Sequence, residues 1–180
     1  MLLASDFVPR WFIYELLHHH GPALASLDES ALSRLGLGMS SWGDVDSFAC
    51  YLAGVAWREG QISDGVVHAW AKSHDRWWRR AAVVSSVPLN SPARGGRGDV
   101  ERTLAICDAV RADRDDMVVK ACSWALRELA MRDRVAVQQY LKRRVDELPA
   151  RVLREVRNKL ETGLKNPPKR SSKTPKRRSV

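Results

Sequence analysis

The sequence predicts an all-α fold built from repeated helix pairs, and three observations carry that prediction. Apolar residues recur three and four apart along most of residues 1–164, the spacing that lays one stripe along a helix. No stretch shows the sustained alternation of a half-buried strand. Gly and Pro fall between the periodic segments, where they end helices. Helices are expected near 7–20, 28–36, 42–57, 61–73, 75–88, 99–112, 115–131, 133–146 and 149–162.

The first element, in MLLASDFVPRWFIYELL, is apolar, but Asp6, Pro9 and Arg10 interrupt it before a signal-peptide core could form. No later stretch approaches 18 apolar residues, so a cytoplasmic protein with no membrane partner is expected. His18, His19 and His20 close this helix on positions about 100° apart and cannot hold one metal ion; His68 and His74 have no companion at ligand spacing. No metal site is expected.

The third element opens with SSWGDVDSF at 40–48. Ser41 and Asp44 have the spacing of a capping box, which gives Asp44 a structural explanation. Asp46 lies past the first turn, on the same face as Trp42 four residues before it. A carboxylate beside an indole is left to account for. Further on, LNSPARGGRG at 89–98 is too rich in Gly, Pro and Ser for a helix and reads as a loop whose Arg94 and Arg97 are free for a partner.

The later elements echo one another. DRWWRRAA at 75–82 aligns with DDMVVKAC at 115–122, forty residues on, pairing Asp75 with Asp115, Arg80 with Lys120 and Ala81 with Ala121, and LPARVLREV at 148 is a weaker copy. Helix pairs of that period match HEAT-type units, which stack into a curved solenoid and present equivalent positions along one concave face. Arg80 and Lys120 then form a row of cations, with Trp77 and Trp124 beside them. In the last run, Arg154, Arg157 and Lys165 either line the end of the solenoid or form a solvated basic face.

Charge and cysteine usage bound the class. The net charge is +9, of which the last sixteen residues, KNPPKRSSKTPKRRSV, carry seven positive charges and no acid, leaving +2 for residues 1–164. Residues 1–164 are therefore expected to form one domain and 165–180 a disordered basic tail suited to salt-sensitive phosphate contacts. Cys50, Cys107 and Cys122 lie in apolar helical patterns without metal spacing and read as reduced core thiols. Of the seven tryptophans, Trp11, Trp57, Trp70 and Trp78 are assigned to packing, and Glu15, Glu59, Glu128 and Glu155 to helix-surface ion pairs.

SWGDVDSF at 41–48, RWWRRAA at 76–82 and VKACSWALRELA at 119–130, in that order, resemble the motifs of the AlkD-like DNA alkylation repair family of HEAT-like glycosylases. The resemblance covers residues 10–163. It implies a right-handed superhelix of antiparallel helix pairs with a concave DNA-binding face. The activity it implies is excision of cationic N3- and N7-alkylpurines from duplex DNA by a monomeric, nucleoid-associated enzyme without metal or organic cofactor. Carried over by position, the catalytic aspartate falls on Asp46, the packing tryptophans on Trp42 and Trp124, and the phosphate-contacting arginine on Arg80. Beside these, the repeat and the last run offer Arg79, Trp77, Lys120, Arg154 and Arg157 as further expected DNA contacts. Against longer members, the chain is expected to lack an N-terminal helix pair and to add the basic tail.

The implied chemistry suits one carboxylate. A glycosidic bond normally needs two carboxyl groups, one to protonate the leaving group. An alkylated purine already carries the positive charge and departs neutral, so a single ionised Asp46 near the developing charge at C1′ would suffice. Two readings from other classes stand beside this one: Asp46 as the ion-pair partner of Arg79, Arg80 or Lys120 in a non-catalytic protein that binds damaged or branched DNA, and a protein-interaction solenoid whose tail alone touches nucleic acid.

Overall fold

A computed structural model describes residues 8–168, and every described element is helical. Most of the basic tail, residues 169–180, lies outside the described residues. The helices are α1 (Arg10–His19), α2 (Gly21–Ala25), α3 (Glu29–Gly36), α4 (Trp42–Ser47), α5 (Gly54–Arg58), α6 (Asp64–Ala71), α7 (Arg76–Val84), α8 (Val87–Asn90), α9 (Val100–Ala109), α10 (Asp116–Leu129), α11 (Arg134–Arg143) and α12 (Ala150–Thr162). A π-helical turn, Phe48–Ala53, joins α4 to α5, so residues 42–58 form one rod with a wider turn inside it. No helix among the described residues is long and apolar enough to cross a membrane.

The sequence echo reappears as repeated capping. Asp75 accepts from Trp77 N and Asp115 from Met117 N, each at 2.8 Å, starting α7 and α10 in the same way. Asp99 and Asp133 do likewise for α9 and α11, accepting from Arg102 N at 3.0 Å and Ala136 N at 2.8 Å with nearly equal backbone angles. Each carboxylate satisfies an otherwise orphaned amide and sits at the positive end of its helix. The structure thus alternates two kinds of helix start along the chain.

Packing follows the same alternation. In one layer α1 lies on α4, α4 on α7, α7 on α10 and α10 on α12; behind it α6 packs on α7 and α9, α9 on α10, and α11 on α10. The core between them holds Tyr14, Phe48, Leu52, Trp57, Ile106, Leu126 and Leu129. Trp57 is fully buried with its indole N–H donating to Asp64 Oδ1 at 2.8 Å, and Trp70 packs on Phe48 and Trp78. Those three tryptophans are structural, as their spacing suggested. Trp11 is not: it stands half-exposed against Phe12 on the outer face of α1.

Segment 89–98 is more ordered than its composition implied. Leu89 and Asn90 are buried at the end of α8, and Pro92–Arg94 form a 3-10 turn. Asn90 Nδ2 donates to Ser86 O and Thr103 Oγ1 while Oδ1 accepts from Asp99 N. Arg132, at the far end of α10, donates to Asn90 O at 2.7 Å and to Gly96 O at 2.5 Å. The Gly-rich stretch is pinned because its backbone acceptors are met by two distant arginines, Arg132 and Arg58, the latter donating through Nη1 to Arg94 O at 2.6 Å. Cys50, Cys107 and Cys122 are all buried free thiols.

Gly54, directly after the π-turn, is where the rod comes closest to its neighbour. A Cβ there would lie 2.5 Å from Ser85 O and 2.9 Å from both Ala49 O and Pro88 Cγ. Overpacking against backbone costs about 1–3 kcal/mol, so Gly54→Ala is expected to lower unfolding free energy by that amount in urea titration. Gly21→Ala, with nothing within 4 Å of the added methyl, serves as the neutral control.

Candidate active site

The rod 42–58 presents its first turn to solvent and buries the rest. Ser41 Oγ accepts from Asp44 N at 3.1 Å and starts the helix, leaving Trp42 at its first position with 64% of its surface exposed. One turn on, Asp46 points toward α7. Both its oxygens are engaged there: Arg80 Nε donates to Oδ1 and Arg80 Nη2 to Oδ2, each at 2.8 Å. The third nitrogen, Nη1, donates to Met117 O in the first turn of α10 at 2.5 Å. Arg80 is 6% exposed, so a buried guanidinium is shared among three helices.

The electrostatics of the pair are set by burial. Desolvation holds the Asp46 carboxyl above its ordinary pKa, against the hydrogen bonds and charge of Arg80 and the charge of Arg94. Beneath it lies Cys50, whose thiol burial pushes up to about 12; the charges of Arg94, Asp46, Glu128 and Arg80 all act on that sulfur. The four charged side chains belong to four different segments, α4, α7, α10 and the turn Pro92–Arg94. Arg94 is held over the Tyr51 ring at 5.7 Å, and the other flank of Tyr51 stacks on His18, whose Nδ1 meets Tyr51 O at 3.0 Å.

Helix α10 packs on α7 and is tied to the Asp46 pair through Met117 O. Trp124 is half-buried, and its indole N–H donates to Glu128 Oε1 at 3.2 Å, one turn along the same face. Arg127 Nε approaches Ser123 Oγ at 3.4 Å, and this half-buried guanidinium forms no ion pair among the described residues. Burial lowers its pKa, opposed by the charges of Glu155 and Glu128.

The expected DNA contacts divide sharply. Arg80 is committed to Asp46 and Met117, and Arg79 donates to Asp113 Oδ2 at 2.7 Å and to the carbonyls of Ser73 and His74. Neither guanidinium is open, because each meets an acid and one or two carbonyls inside the chain. Lys120 pairs with Asp116 on its own helix at 2.6 Å, and Arg151 of α12 joins the same carboxylate. Trp77 is half-buried beneath the Arg76 guanidinium, 4.7 Å from its ring centre. Arg154 is exposed, 3.9 Å from Glu155. Arg157 faces α11, where it lines a groove of about 570 Å³ with Arg134, Leu141, Lys142 and Leu160, none of which belongs to the Asp46 cluster.

Three carboxylates differ from their sequence reading, and one of them, Glu15, makes no ion pair among the described residues. Glu155 is buried, accepting from Ser123 Oγ at 2.6 Å and facing Lys165 at 3.5 Å. Glu128 makes no ion pair among the described residues. Neither Glu128 nor Arg94 and Arg127 was singled out for this site, since α10 is tied to Asp46 through Arg80 of α7 and segment 89–98 is placed by tertiary hydrogen bonds. A signal existed for Glu128 in its spacing from Trp124.

The family model described as DNA alkylation repair enzyme matches residues 12–160. The chain matches no curated protein and no solved structure.

Removing one partner of a buried ion pair strands the other, typically at 3–5 kcal/mol. Asp46→Ala is expected to cost about 3 kcal/mol in urea unfolding, given its partial exposure. Adding Arg80→Met should recover most of that loss, and a double-mutant cycle without coupling would mean that the pair does not form.

Proposed function

Since the chain belongs to the DNA alkylation repair enzyme family, we propose that it is a DNA glycosylase that hydrolyses the N-glycosidic bond of cationic N3- and N7-alkylpurines in duplex DNA. The observation that carries this reading is the exposed Trp42 indole one turn from the half-buried Asp46 carboxylate, which Arg80 ties to the start of α10, the helix that bears Trp124 and Arg127. HEAT-like stacking of the helix pairs would place these groups on one concave face.

In this mechanism the alkylated base leaves with the bonding electrons of the C1′–N bond and departs neutral, so no acid is needed. Positive charge grows on the sugar. Asp46, already desolvated and held by two hydrogen bonds, stabilises it without reorganising at the moment of reaction. Water then adds at C1′ and its proton passes to solvent. Indole faces attract cationic and C–H-rich groups, so Trp42 and Trp124 flank the deoxyribose. Arg80, committed to Asp46, orients that carboxylate, and the phosphate contacts fall to Arg127, Arg94 and the exposed cations of α12.

The bidentate Arg80 pair also favours a second reading, in which Asp46 is structural and the protein binds damaged DNA without cutting it. Single-turnover release of N7-methylguanine and N3-methyladenine separates the two. The wild type is expected to exceed spontaneous depurination, and Asp46→Asn, assayed at a temperature where it is folded, should lose at least a hundredfold, the usual scale for a preorganised electrostatic group. DNA binding with no release by the wild type would establish the second reading.

The pH dependence carries a sign. Activity requires ionised Asp46, so the rate should fall as pH drops through its raised pKa, placing the acid limb above the ordinary aspartate value. Stability from this group runs the other way. Its proton is held more tightly in the folded chain, so its contribution is largest at low pH and is lost as pH rises through the folded pKa. Loss of rate with full retention of near-ultraviolet circular dichroism across that limb is the expected result.

A further inference from the structure

We propose that Glu128 is a second carboxylate of the site and meets positive charge on the substrate, an inference that rests on the glycosylase reading. Asp46 and Arg80 together carry no net charge, because both carboxylate oxygens accept from one guanidinium. The field this pair projects into the cleft is that of a dipole. Glu128 has no such compensation: no cation stands at ion-pair distance from it among the described residues, and the neighbouring Arg127 turns to Ser123. Its Oε1 accepts from the Trp124 indole N–H at 3.2 Å, so Glu128 stands beside the ring that the glycosylase reading assigns to the deoxyribose.

An uncompensated carboxylate is costly on a surface that must receive phosphates, since like charges repel and binding relies on neutralising them. The cost is offset where the group facing it is itself cationic. An alkylpurinium ring, or the sugar as it becomes oxocarbenium-like, has that property, and a neutral purine does not. Glu128 therefore favours charged lesions over neutral purines and stabilises the sugar as positive charge grows on it. The hydrogen bond from Trp124 fixes where the carboxylate stands, and the same bond holds the indole ring toward the sugar.

A merely structural Glu128 would need only an oxygen for the Trp124 N–H, and glutamine keeps that oxygen while removing the charge. The test compares binding of the full chain to two duplexes, one with a cationic pyrrolidine in place of the lesion-bearing sugar and one with uncharged tetrahydrofuran. The wild type is expected to prefer the cationic duplex. In Glu128→Gln that preference should fall by about tenfold, with affinity for the neutral duplex unchanged or higher. Preference retained in Glu128→Gln overturns this inference alone and leaves Glu128 as a support for Trp124. A wild type with no preference, and no release of alkylated base, overturns the glycosylase reading together with it.

Discussion

A buried guanidinium organises this molecule. Arginine cannot shed its charge, so a fully desolvated Arg80 is tolerable only if its nitrogens find acceptors. Each of the three does, two on Asp46 and one on Met117 O, and those acceptors belong to α4 and α10 while the arginine belongs to α7. Three successive helices of one layer are thereby held at a shared point. Asp46 is where it is partly because Arg80 requires it there. Under the proposed mechanism the carboxylate offered to a substrate is also the one that closes this architectural bond, so stability and chemistry cannot be varied independently at this position.

Arg132 performs the corresponding task at the other edge. By taking the carbonyls of Asn90 and Gly96, it turns a Gly-rich connection into a fixed ledge, and the ledge carries Arg94 toward Asp46. Asn90 completes the arrangement from beneath through Ser86, Thr103 and Asp99. A surface of this kind is preorganised. Little ordering entropy remains to oppose a ligand, and rigid docking is the natural mode of encounter.

Much of this was legible in the chain. The helices after residue 41 fall close to their expected bounds, because aspartate caps and apolar periodicity mark the same starts. The forty-residue echo proved physical in the matched Asp75 and Asp115 caps. Short helices were harder: α2 and α8 are too brief for a period to show, and His20, which caps α2 through Nδ1, looked only like part of a histidine run. Among the three cations offered as partners for Asp46, sequence could not choose, since Arg79, Arg80 and Lys120 differ by small rotations about helix axes. Rotation decides everything here. Arg79 turns to Asp113, Lys120 to Asp116, and Arg80 alone reaches α4. Glu128 was misread for the same reason: nearby arginines in sequence suggested a surface pair, and Arg127 instead turns to Ser123 while Glu128 meets Trp124.

The π-turn between α4 and α5 acts as an index. An ordinary α-helix advances 100° per residue, so one residue gained in a wider turn rotates everything before it by about that angle relative to everything after. Ala56 and Trp57 keep their inward phase while Trp42 and Asp46 keep theirs toward solvent and α7. Without the extra residue, a rod anchored by its buried end would turn the indole and the carboxylate about a quarter of a circle away. The aim of the site is thus written into a helical defect several residues downstream, and single-residue deletions within 48–53 would redirect it while leaving every one of its side chains in the chain.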